Sequence, residues 1–124
     1  MEIGEIRMLR PGAARKVVIH LNEDTISGER FLYQEVLTLL YQRGVAGAEV
    51  IRPEAGFGAH HRMHSMQAGW TSGEHMPVRI EFIDTRDAIE SLLPALYEIV
   101  TDGMIEAHDT TILKAAAKSE KPLG

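Results

Sequence analysis

VRIEFI, from Val78 to Ile83, alternates Val78, Ile80 and Phe82 against Arg79 and Glu81. That is the period of a strand with one buried face. The period then changes without a gap. Ile89, Leu92, Leu93, Leu96, Ile99 and Val100 recur at helical spacing, which gives an apolar stripe along one side of a helix. Asp84 or Thr85 is placed to cap that helix, and Gly103 to follow it. A strand feeding directly into a helix, with another strand after it, is a βαβ unit. The first half of the chain carries the same order, so the fold must accommodate two such units joined by a long segment.

In the first unit KVVIHL, from Lys16 to Leu21, reads as a strand by its β-branched content. The turn-rich NEDTISG follows, with Ser27 as a candidate N-cap. A helix is expected over about 29–43, its stripe made by Leu32, Val36, Leu39 and Leu40. Gly44 is placed to stop it, since glycine tolerates the left-handed conformation after a helix. A second strand is expected over 48–52, ending before Pro53. The second unit runs through the helix stripe, kinked at Pro94, to a last strand over 104–113. Two helices on one face of a four-stranded antiparallel sheet give an α+β, ferredoxin-like split βαβ-βαβ fold. The expected organisation is a loose lead-in over 1–14, one domain over 15–114 with a long loop over 53–76, and a flexible tail over 115–124. Val18, His20, Ile51 and Ile83 fall on the sheet face without helices. Burial against copies of the same chain is the natural way to cover such a mixed face.

Composition narrows the function. The 124 residues include no cysteine, which removes disulfides, thiolate metal sites and cysteine nucleophiles. The net charge of −5 argues against a general nucleic-acid binder. No apolar run approaches the roughly 20 residues of a membrane span, and the acidic start is unlike a secretory signal. These features point to the cytoplasm. The serines lack a glycine-elbow context, and no nucleophile–base pair is evident, so no enzyme activity is expected.

The long loop holds the densest chemistry. Its core, GFGAHHRMHSMQAGW, spans Gly56 to Trp70, and the loop holds four of the six histidines. Loops longer than roughly 12–15 residues tend to be functional or disordered. His60 and His64 share one side of a helical turn and could chelate zinc or copper, although a third ligand is not at hand. Arg52, Gly56, Phe57 and Gly58 suit an anion or nucleotide: the glycines permit an inward-turned backbone nest, Arg52 can neutralise phosphate, and Phe57 can stack on a base. Arg62 and Trp70 are candidates for contact with a partner. His20 reads as a packed strand histidine, and Arg30 as a solvated helix residue.

HLNEDTISGERFLYQEVL, GVAGAEVIRPEAGFGAHHRMH and MPVRIEFIDT together resemble the PII-like proteins grouped as domain-of-unknown-function family 190. The resemblance covers about residues 15–113. It implies ferredoxin-like subunits closing into a homotrimer, similar to PII signal-transduction proteins and CutA. It also implies an adenine nucleotide (ATP, ADP or AMP) in clefts between subunits, at the base of a T-loop that corresponds to 53–76. The loop would then engage a protein target such as a transporter or enzyme. Gly103, within TDGMIEAHD, stands where the PII proteins carry a longer basic nucleotide loop. No tyrosine lies in the loop to match the modified tyrosine of PII. A CutA-like protein holding copper or zinc on the histidine-rich loop is the alternative.

Overall fold

The computed structural model describes residues 7–57, 64–65, 71–72 and 76–116. In chain order its elements are β1 (Gly12–Asn22), β2 (Ile26–Ser27), β3 (Arg30–Phe31), α1 (Leu32–Gln42), β4 (Ala48–Ile51), β5 (Ala55–Gly56), β6 (His64–Ser65), β7 (Thr71–Ser72), β8 (Pro77–Asp84), α2 (Arg86–Ile99) and β9 (Met104–Ile112). Four strands form the main sheet in the order β4-β8-β1-β9, and every pair in it is antiparallel. This is the order of two interleaved βαβ units, so the expected ferredoxin-like fold is the one observed.

Alternation decides which side of the sheet faces the helices. Val17, Ile19 and Leu21 of β1 and Val78, Ile80 and Phe82 of β8 meet Leu32, Val36 and Leu40 of α1 and Ile89, Leu92 and Leu96 of α2 in one cluster. Each side chain there is at most 4% exposed. Burying one such side chain is worth about 1.5–3 kcal/mol relative to exposure. The register pairs Ile19 with Ile80 and Val17 with Phe82, so the large apolar residues lie side by side across the two central strands.

The helix ends have local causes. In α2 the Thr85 hydroxyl accepts from the Ala88 N–H at 3.2 Å, a side-chain N-cap. Pro94 lies inside α2 on its exposed side. After α1, Gly44 takes φ +76°, and its N–H bonds to the Tyr41 carbonyl at 3.2 Å. The stop predicted at Gly44 is therefore the observed one.

Three expectations need correction. Ser27 does not cap α1: it pairs with Arg30 in the β2–β3 hairpin, around Gly28 at φ +63°. The helix begins later, at Leu32, whose N–H bonds back to the Thr25 carbonyl at 2.7 Å. Gly28, just before the expected helix start, gave the backbone a cheaper turn there. Within the expected lead-in, residues 7–14 are not loose: β1 already begins at Gly12, and Arg7 is bonded to the body of the domain. The long loop is not devoid of pairing, since β5 pairs with β6 and β6 with β7 in a small separate sheet. The tail beyond residue 116 lies outside the described residues.

Candidate functional site

The turn between α2 and β9 runs tight against the end of β1. Gly103 sits there at φ +147°. A Cβ added to it would lie 2.3 Å from the His20 carbonyl oxygen and 2.8 Å from Leu21 Cδ2. Only glycine fits, both for the dihedral and for the space. This close approach puts the 102–104 turn against the end of β1, and a cleft of about 400 Å³ opens beside it.

Four pieces of chain line the cleft. His20, Leu21 and Asn22 come from the end of β1, and Pro77, Val78 and Arg79 from the start of β8. Asp102, Gly103 and Met104 form the turn, while Pro53 and Phe57 come from the base of the long loop. Phe57 is 54% exposed, a large aromatic surface at the cleft's edge. The walls are mainly apolar, with an imidazole, a guanidinium, an amide and a carboxylate among them. That mixture suits a small molecule with a flat apolar part and a charged part.

The structure brings together only some of the residues anticipated for a nucleotide. Phe57 and Gly103, 46 residues apart in sequence, line the same cleft. Gly56 sits in β5, packed near the Pro77 ring. Arg52 is directed elsewhere. Its Nε donates to Glu23 Oε1 at 2.8 Å, its Nη2 donates to the Tyr33 hydroxyl at 3.3 Å, and its guanidinium carbon lies 5.4 Å from the centre of the Tyr33 ring. The hydrogen bond to Glu23 holds the guanidinium more firmly protonated than usual. Phe31 stacks on the same tyrosine, with ring centres 6.1 Å apart. Arg52 thus braces the loop base from outside the cleft. Gly58, His60, Arg62 and Trp70 lie outside the described residues, and of His64 only the backbone, in β6, is described. Among the described residues no group of three or more histidine, aspartate or glutamate side chains could hold a metal ion.

His20, Asn22, Arg79 and Asp102 are cleft residues that sequence reasoning did not select. Alternation along β1 and β8 shows only that His20 and Arg79 avoid the core. The β1–β8 register makes them direct partners across the sheet, and no local pattern reveals that. Both also reach a second, wide hollow over the middle of the open sheet face, with Lys16, Val18, Glu81, Glu106 and His108. Burial alone would push the pKa of the Glu81 carboxyl up. Hydrogen bonds and charge from Arg79 and Lys16 outweigh it and hold the group below the ordinary carboxylate range. Glu106 is held low in the same sense by hydrogen bonds from His108 and His20. Val18 is buried beneath this polar cover, so the open face is a charged lattice with an apolar floor.

Comparison with known proteins agrees with the architecture. The DUF190 family profile, described as "Uncharacterized ACR", matches residues 14–112. The UPF0166 protein MJ1524 of Methanocaldococcus jannaschii is 30% identical over 103 residues, covering 82% of this chain and 93% of that protein. CPII, a nitrogen regulatory PII-like protein from Thiomonas intermedia K12 solved with ADP, AMP and bicarbonate, superposes with a TM-score of 0.62 at 17% identity, covering 85% of this chain and 92% of its own. Its apo form gives a TM-score of 0.55 at 15% identity, covering 83% and 95%. At such identities the solved neighbours establish the fold, which is PII-like.

Proposed function

The chain belongs to the DUF190 family, and we propose that it is a PII-like regulatory protein whose cleft at the base of the 53–76 loop takes an adenine nucleotide. The observation that carries this reading is the junction itself. One cleft joins the Gly103 turn, the ends of β1 and β8, and Phe57 at the loop base, in a fold whose neighbour CPII is bound to ADP and AMP. In this reading the adenine lies on Phe57 and the phosphates lie toward Arg79 and His20. Asp102 serves a ribose hydroxyl. Gly103 keeps the turn's backbone close enough to the ligand for its polar groups to be used.

Three copies pack through the open sheet face, and the loop is offered to a protein target such as a transporter or enzyme. The nucleotide acts by differential binding: it prefers one arrangement of the loop base, so occupancy shifts the loop population. This reading assigns binding to the cleft and no chemistry on a substrate. The setting is the cytoplasm. Among the described residues no helix is long and apolar enough to cross a membrane.

Isothermal titration of the full chain with ADP, AMP and ATP tests the proposal. At least one should bind, and Phe57→Ala should weaken that binding severely while leaving the circular dichroism spectrum unchanged. Silence with all three nucleotides, or wild-type affinity in Phe57→Ala, overturns the site.

A further inference from the structure

His20 belongs to two environments at once. It lines the cleft beside Arg79, Asn22 and Asp102. On the same ring, Nε2 lies 3.3 Å from Glu106 Oε1. His108 Nε2 lies 3.3 Å from that same oxygen. Two imidazoles therefore share one carboxylate, and only one of them also faces the cleft. In the single subunit the His20 side chain is 41% exposed, at the rim where the cleft meets the open sheet face.

We propose that His20, placed at the cleft beside Glu106 and His108, is a proton-coupled anion contact through which the cleft binds an anionic ligand more tightly as pH falls. The proposal rests on the cleft being the ligand site, and it identifies the part of the ligand concerned as a phosphate or another compact anion.

The surrounding charges set the direction. Across the sheet from His20, β8 presents Arg79, which pairs with Glu81 at 3.0 Å. Lys16, further along β1, reaches the same Glu81 at 3.4 Å. Those two cations therefore have their own acid nearby. On the other side β9 supplies Met104 opposite His20, then Glu106 and His108. Asp102 faces the cleft from the turn. Glu106 is thus the acid in contact with the His20 ring, and His108 competes for it. An anion arriving in the cleft adds a second negative charge on the ring's open side and favours imidazolium. Binding must then take up a proton, and by linkage affinity rises as pH falls through the imidazole range of about 5–8. Removing His108 leaves Glu106 to His20 alone and should move this response to higher pH. Replacing Glu106 by glutamine should move it lower. A guanidinium keeps its charge throughout this range, so Arg79→Gln should weaken binding by a similar factor at every pH.

The test is calorimetric titration of ADP into wild type, His20→Gln, His108→Gln and Glu106→Gln at about pH 6 and about pH 8. Each titration is run in two buffers of different ionisation enthalpy, to count protons. The terminal phosphate of ADP has its own proton equilibrium, so the readout is the difference between wild type and His20→Gln. Wild type should take up more protons. Its gain in affinity from the higher to the lower pH should exceed that of His20→Gln by ~3–10-fold, the scale of a titration displaced by up to one unit. The two cluster variants keep His20 and should shift the response in opposite directions. ADP binding with the same proton count in all four proteins overturns the proton coupling and leaves the nucleotide site standing. No ADP binding at either pH overturns both.

Discussion

Arg7 Nη2 lies 2.6 Å from Asp84 Oδ2, and Arg7 Nε lies 2.9 Å from the same oxygen. Asp84 is fully buried at the end of β8, and its other oxygen accepts the Thr85 N–H at 2.8 Å. Arg7 also donates from Nη1 to the Arg43 carbonyl and from its backbone N–H to the Gly44 carbonyl. One arginine therefore ties the N-terminal segment to the end of α1 and the start of α2. Removing it strands a buried carboxylate, which costs more than losing the pair as a unit. Arg7→Ala should lower stability by ~1–3 kcal/mol, and adding Asp84→Asn to it should restore part of that loss. Urea unfolding at one fixed protein concentration measures both, and additive effects would contradict the pairing.

Two glycines of positive φ should respond differently to alanine. At Gly28 an added Cβ meets nothing within 4 Å, so only the left-handed backbone is penalised, at ~1 kcal/mol. At Gly103 the Cβ collides with backbone as well. Gly103→Ala should cost well above ~2 kcal/mol or refold the 102–104 turn. Thermal unfolding ranks the two variants, and equal losses would contradict the close approach.

Arg52 separates support from stability. Its ion pair with Glu23 joins side chains that are 48% and 32% exposed, and such pairs contribute ~0–1 kcal/mol. Arg52→Ala should thus leave the urea midpoint almost unchanged. It should still loosen the loop base, seen as faster hydrogen exchange at 53–57. If Arg52 also reaches nucleotide phosphate, as the sequence reading expects, ADP affinity should fall with Arg52→Ala. Arg52→Lys would then restore charge but not the Tyr33 stack.

Acid sensitivity should be concentrated on the open sheet face. Glu81 and Glu106 are both held below the ordinary carboxylate range in the folded chain. A depressed carboxyl contributes stability above its unfolded value, about 4.3 for glutamate, and loses it as pH falls through the lower folded value. Unfolding free energy should therefore drop as pH falls below about 4.3. Glu81→Gln should flatten that drop relative to wild type. A slope unchanged in this variant would place the acid-sensitive groups elsewhere.

The sequence by itself determined the order of elements and the face each one buries, because both follow from short-range periodicity. The period-2 run at 78–83 and the helical stripe from Ile89 reappear as β8 and α2, with Val78, Ile80, Phe82, Ile89, Leu92 and Leu96 buried and Leu93, Ile99 and Val100 packed at the margin. Gly44 marked the end of α1 for a reason local to three residues. The β2–β3 hairpin was less legible, since a serine before a glycine suits a cap or a turn equally well. The site was legible only in fragments. Phe57 and Gly103 could be chosen from residue type and resemblance, but their meeting in one cleft depends on β1 and β8 pairing in a particular register. Arg52 has the right chemistry for phosphate, yet Glu23 and Tyr33 claim it through contacts that span 29 and 19 residues of sequence. His20 read as an ordinary strand histidine until β9 brought Glu106 and His108 alongside. Periodicity fixes a side chain's face, whereas its partners are fixed by long-range pairing, and the charge and ligand preference of the site depend on those partners.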